Sequence, residues 1–369
     1  MKIEEALKRP LIWIPCRHHI GELLVGGAFT AIFGDIDKSP YYQKFKDFKK
    51  SWPGIDKTKH EPLQVLPWMQ GKVAEVVEFY ESALKAENSP RKDYKESLEL
   101  ALVVLGHPPE NFSFKLPGAV GKTRWMAKIL YGYKMFLFRK ALKLPKKEQA
   151  KFERFAVFCS LFYVKHWFTL PLASDAPFND LDFYKSMLIF DDYDSEVAQA
   201  VLEKICRHTW YMNQEFSPLN LFSEKVNDKT KSKIALKLSN IKSPKSYGLG
   251  QPSVVPIGTD RDGLEYCVSD FVGDGSLFIF DNLKFGKDWL QKPISSWKNN
   301  PSYLEMERFV KTLLVCNDPA ERAVKLMSDY SNILTKNSKE RQDILQLVEA
   351  HRKDQSDTNK STLFSSFSV

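Results

Sequence analysis

Phe155-Ala156-Val157-Phe158-Cys159-Ser160-Leu161-Phe162-Tyr163-Val164-Lys165-His166-Trp167-Phe168 is among the longest apolar runs of the chain, and its reading decides the fold class. From Glu153 onward its apolar residues recur at three- and four-residue spacing, which predicts a helix over 153–168. Lys165 and His166 interrupt the run, which falls short of the roughly 20 apolar residues a membrane-spanning helix needs. Working outward, the same spacing predicts helices over 74–84, 94–105 and 124–142, with further helical windows at 181–190, 196–206 and 213–222. The middle of the chain therefore reads as a helical body.

The flanks read differently. Residues 10–15, Pro-Leu-Ile-Trp-Ile-Pro, form an apolar run between two prolines and predict a buried strand that turns helical through Ile20, Leu23 and Leu24. Residues 239–263, rich in Pro, Gly, Ser and Lys, predict a loop. Residues 264–272 and 276–280, separated by Gly273-Asp274-Gly275, predict a β-hairpin. Three amphipathic helices follow at 303–314, 319–334 and 339–352, then a polar tail, 353–369, that cannot bury enough surface to fold. The expected class is mainly α with a small β component.

The sequence of 369 residues is long enough for two domains. Aromatic residues make up 13%, with 26 Phe, so the interior must be rich in rings. Lys and Arg exceed Asp and Glu by 54 to 46, a net charge of +8 that favours polyanionic partners without identifying one. The five cysteines, at 16, 159, 206, 267 and 316, are odd in number, scattered, and preceded by no secretory leader, which points to reduced thiols inside the cell.

Four segments could carry chemistry. Cys16-Arg17-His18-His19 is a Cys-x-x-His where the expected strand passes into a helix. A zinc there would need two further ligands, and the natural complement, Cys206 with His208, lacks a usual ligand spacing. The plainer reading is a thiol and an imidazole that fix the junction. Residues 117–123 end in Gly121-Lys122-Thr123 like a phosphate-binding loop, but the required earlier glycine is Leu116. Lys122, Arg124 and Lys128 then stand on the first turns of a helix, where they either meet phosphate or form a solvated face. Trp210 and Tyr211 could stack on bases, with core packing as the alternative, and His208 and Glu215 would then be surface groups. Asn317-Asp318-Pro319-Ala320-Glu321-Arg322 has the form of a helix cap, with Asp318 as N-cap and Glu321 as the capping-box acid. A glutamate there is also a rigid mount for a metal ligand.

In order, these segments resemble the transposases of animal DNA transposons of the Cys-x-x-His superclass, which includes hAT and Kolobok-type elements. The resemblance rests on 16–23, on Pro117-Gly118-Ala119 with 124–128, on Trp210-Tyr211, on 270–273, on 317–322 and on the helix from Arg341 to Arg352. It implies an RNase H-like α/β core interrupted by a large all-α insertion. The implied organisation is 1–30 as a strand-helix piece of the core, 31–260 as the insertion, 261–352 as hairpin and helices completing the core, and 353–369 as the tail. It makes Glu321 the third catalytic, metal-binding carboxylate, and Cys16 and His19 a structural motif beside the site. Intact relatives would use two magnesium ions about 4 Å apart for strand transfer.

One departure matters: both aspartates of the triad should precede Cys16, yet 1–15 contain Glu4 and Glu5 and no Asp. Asp35, Asp175 and Asp180 have surroundings suited to ordinary loop or cap roles. The resemblance therefore implies the C-terminal part of a transposase, a DNA-binding remnant that is not catalytically complete. With it come a DNA partner, homo-oligomerisation, no membrane contact and a nuclear location. The competing expectation is a non-enzymatic helical scaffold that binds a protein partner.

Overall fold

The helix Arg17–Phe33 (α2) is buried on nearly every side, and the other elements are laid around it. In the computed structural model the described residues are 2–8, 11–34, 43–86, 91–118, 125–208, 211–242, 257–316 and 340. The chain divides into two compact units, Met1–Asn317 and Asp318–Val369, and the described residues contribute Glu340 alone to the second.

A helix that is apolar all round belongs in a core, and small residues let α2 be surrounded closely. A Cβ on Gly21 would lie 2.9 Å from the Trp167 ring, and one on Gly27 would lie 3.1 Å from the Ala200 carbonyl. Helix α2 packs most extensively on Ser195–Arg207 (α10), Lys146–Phe158 (α7) and Trp125–Leu137 (α6). Phe29 and Phe33 of α2 meet Phe155 and Phe152 of α7 at ring-centroid distances of 5.4 and 5.0 Å, so the rings fill the interior as the composition requires. A short helix, Lys2–Leu7 (α1), precedes α2, and Gln43–Ser51 (α3) follows it. Gln70–Lys85 (α4) and Lys92–Val104 (α5) stand where periodicity predicts helices over 74–84 and 94–105.

The stretch 153–168 is helical but not uniform. After α7 comes one wide π turn, Cys159–Tyr163, and then Val164–Thr169 (α8). The Tyr80 hydroxyl donates to the Ser160 carbonyl within that turn, at 2.6 Å, and the Tyr163 hydroxyl donates to the Gly21 carbonyl at 2.8 Å. Such wide turns interrupt a helix and frequently mark functional sites. Ala176–Phe190 (α9) then packs on α10 and α8.

Among the described residues the α-helices that follow are Asp228–Ser239 (α11), Phe278–Leu283 (α12) and Pro301–Thr312 (α13). The helix expected over 213–222 is instead a turn followed by a 3-10 helix, Ser217–Phe222, with Pro218 near its start. Trp289, Trp297, Tyr303 and Phe222 form a second knot of rings, with Trp289 4.9 Å from Trp297 and 5.0 Å from Tyr303.

The expected β component is corrected: among the described residues there is no strand or sheet, so neither the β-hairpin nor the incomplete RNase H-like α/β core is present, while the mainly helical expectation agrees. Residues 11–16 form neither helix nor ladder, with Cys16 extended, and the Arg17 amide donates to the Val315 carbonyl at 2.9 Å. Residues 264–280 fold into short 3-10 turns leading into α12. Local side chains capture the backbone that a hairpin would need: Asp270 Oδ2 accepts from the Cys267 amide at 2.8 Å and Ser276 Oγ from the Gly273 amide at 3.1 Å. Gly273-Asp274-Gly275 is shaped by Gln214 rather than by strand reversal. A Cβ on Gly273 would lie 2.5 Å from Gln214 Nε2, and the Gly275 amide donates to Gln214 Oε1 at 2.9 Å.

Candidate functional site

The Cys-x-x-His motif opens α2. Cys16 is the N-cap, extended at φ −70° and ψ 113°, and its carbonyl accepts from the amides of His19 and Ile20 at 3.1 and 3.3 Å. His19 points outward, 62% exposed, with Nδ1 3.7 Å from Glu22. Arg17 and His18, between them, point inward. His18 stacks on Trp167 at 4.2 Å.

The fully buried Arg17 guanidinium donates to the carbonyls of Leu170 (2.7 Å), Ala176 (3.3 Å) and Thr169 (3.4 Å), and to the Asp180 carboxylate. It thereby ties the C-terminal end of α8, where the helix carbonyls favour a cation, to the start of α9. Burial pushes the Asp180 carboxyl up, against the pull of the Arg17 charge. His166 Nε2 lies 4.0 Å from Asp180 and its ring stacks on Phe183 at 4.1 Å. Burial, and then the charges of Arg17 and Lys225, hold His166 well below the usual imidazole value. Spacing alone singles out Cys16 and His19, but helical register puts Arg17 on the buried stripe of Ile20, Leu24 and Ala28, a signal that it faces inward.

Tyr211 also belongs to this assembly. Its ring is buried, stacked on Phe216 at 4.9 Å and covered by Arg17 at 5.3 Å, while its hydroxyl donates to the Pro15 carbonyl at 2.8 Å. Tyr211 therefore packs in the core, and Trp210 lies outside the described residues. Glu215, expected at the surface, is buried. Cys206 donates its thiol to the Gly258 carbonyl at 3.3 Å, and His208 is drawn below its usual value by burial and then by His19, Lys204 and Arg207. Among the described residues no three His, Cys, Asp or Glu side chains form a group placed to hold a metal. Glu321, the expected metal ligand, lies outside the described residues, as does Asp35, while Asp175 precedes α9 as its N-cap.

Of the three cations expected near phosphate, Lys122 and Arg124 lie outside the described residues, and Lys128 holds its ammonium 4.9 Å above the Phe29 ring, lowered by burial. The residue that leads into 119–124 is placed, however. The Gly118 carbonyl accepts from Tyr131 at 2.6 Å and from Lys49 at 3.1 Å. Lys49 belongs to α3, whose sequence Gln43-Lys44-Phe45-Lys46-Asp47-Phe48-Lys49-Lys50-Ser51 buries Phe45 and Phe48 and leaves its lysines on the outer side. Lys44 pairs with Glu148. The basic outer side of α3 was legible as lysines surrounding an i, i+3 pair of Phe, yet charge balance and motif spacing do not single it out.

No family model, no curated protein and no solved structure matches the chain. Among the described residues no helix is long and apolar enough to cross a membrane.

Proposed function

We propose that the chain is a DNA-binding protein of transposase descent, a remnant that holds duplex phosphates through the outer side of α3 and the basic residues after Gly118. The observation that supports this reading is the bond from Lys49 to the Gly118 carbonyl, which joins the lysine-rich helix to the stretch carrying Lys122 and Arg124. The bond sets a lysine-rich helix beside Gly118, the last described residue before that stretch, and cations gathered on one side are the electrostatic footprint that phosphate binding needs. On this reading the chain performs no strand transfer of its own, and it acts in the nucleus.

Labelled duplex DNA titrated at about 50 and 200 mM salt, with and without magnesium, tests the proposal. Binding that weakens steeply with salt, without cleavage, is expected, since each phosphate contact released contributes a slope of about −0.9 in log K against log salt. A second reading, the scaffold for a protein partner, draws on Leu66, Ile189 and Tyr193, which are 43, 53 and 50% exposed beside the Trp68–Tyr193 stack. Salt-insensitive binding to protein, with no retention of DNA, would favour it.

A further inference from the structure

Away from α3, a cavity of about 250 Å³ opens between α4, the π turn, α8 and α9, with Lys225 at one wall. None of its lining residues belongs to α3 or α6, so it is a separate feature from the proposed DNA surface. Three ammonium groups enter it from different elements. Lys72 donates to both oxygens of Glu75, at 3.0 and 2.9 Å, and Lys165 donates to the same carboxylate. Lys225 donates to Asn179 Oδ1 at 2.7 Å and lies 3.8 Å from Asp175. Burial lowers Lys225, and the neighbouring positive charge of Lys165 acts in the same direction. Lining charges are three Lys against Glu75 and Asp182, an excess of one positive charge in a partly enclosed space.

His166 also lines the cavity, its side chain only 6% exposed, with Nε2 4.0 Å from Asp180 Oδ1 behind the wall. Phe162, Phe178 and Phe183 supply the apolar part of the wall.

We propose that this cavity binds a small phosphate monoester, with the phosphate on Lys72, Lys165 and Lys225 and its organic part against Phe178 and Phe183. A monocarboxylate would add nothing that Glu75 does not already offer, whereas a dianion with three acceptor oxygens matches point-charge ammonium donors converging from two walls. The volume, below the roughly 300–1,000 Å³ of drug-sized sites, limits the occupant to something near a sugar phosphate.

Calorimetric titration of the full chain with ribose 5-phosphate and with inorganic phosphate tests this, with ribose as control. Saturable one-to-one binding of ribose 5-phosphate is expected, weakened about tenfold or more by Lys72→Gln and by Lys225→Gln, as loss of a charged hydrogen bond implies. Glu75→Gln should tighten binding, because it removes the carboxylate that competes for two of the lysines. Should a lysine variant fail to fold, Glu75→Gln carries the test. No saturable binding at millimolar ligand, indifference to both lysine variants, or weaker binding in Glu75→Gln overturns the proposal.

Discussion

The Arg17 guanidinium lies out of solvent because three main-chain carbonyls and Asp180 surround it. Removing one partner of such a group leaves buried polar atoms without compensation, a loss of about 3–5 kcal/mol. Arg17→Met is therefore expected to destabilise the chain by about that much in urea unfolding, and Asp180→Asn by less, since the amide can still accept from Arg17. Equal losses would mean that the ion pair, not the carbonyl ends of α8, dominates. His166 gives a pH signature. Its folded-state value is depressed, so below about pH 6.5 the unfolded chain takes up a proton that the folded chain refuses. Stability should fall as pH drops through that value, and thermal melts of His166→Gln should show a flatter dependence over the same window. A dependence unchanged by the substitution would place the titration elsewhere. At this scale the sequence is informative about direction and silent about partners: register turns Arg17 inward, but nothing local names Asp180, which lies 163 residues away.

Elements were readable where period and length agreed. The windows over 74–84, 94–105 and 196–206 correspond to α4, α5 and α10 because each carries a sustained apolar stripe that a neighbour covers. The hairpin reading of 264–280 failed because short apolar runs do not distinguish strands from tight turns, and Gln214, 61 residues before Gly275, helps to decide the conformation of Gly273-Asp274-Gly275. The π turn at Cys159–Tyr163 likewise follows from partners on α4 and α2, not from its own sequence. Gly132 marks the close approach of α6 to α7: an added Cβ would lie 2.6 Å from the Phe155 ring. Gly132→Ala should therefore destabilise the chain by about 1–3 kcal/mol, through overpacking, despite the better helix propensity of Ala. A gain in stability would show that Phe155 can move aside. The last described helix has its own acid sensitivity. Asn300 caps α13 through the Tyr303 amide at 3.2 Å, and its side-chain amide donates at 2.7 Å to Asp288, whose carboxyl is lowered to about 2, chiefly by that bond. Because the folded value is depressed, the contribution is present above about pH 4 and is lost as pH falls toward about 2. Asp288→Asn should remove that part of the acid loss.

At the scale of the whole molecule, α2 organises an aromatic interior, and the full sequence carries a net charge of +8. Composition made the ring-rich interior and the positive balance legible. It could not place the charge, because which lysines share a surface depends on contacts such as Lys49 with Gly118. The motif order suggested an RNase H-like core, but the described motif residues serve an all-helical body: Arg17 and Tyr211 pack together behind Cys16, and no sheet is present among the described residues. A DNA-binding role is independent of that missing sheet, since phosphate contacts need only a positioned set of cations. The direct test is the salt dependence of duplex binding for the natural chain beside a Lys46→Glu, Lys49→Glu, Lys50→Glu variant that retains its melting temperature. The account predicts a log K against log salt slope shallower by roughly 2–3 in the variant, about 0.9 for each lost phosphate contact, with weaker binding throughout. An identical slope in both proteins, or no salt-sensitive binding by the natural chain, would contradict it.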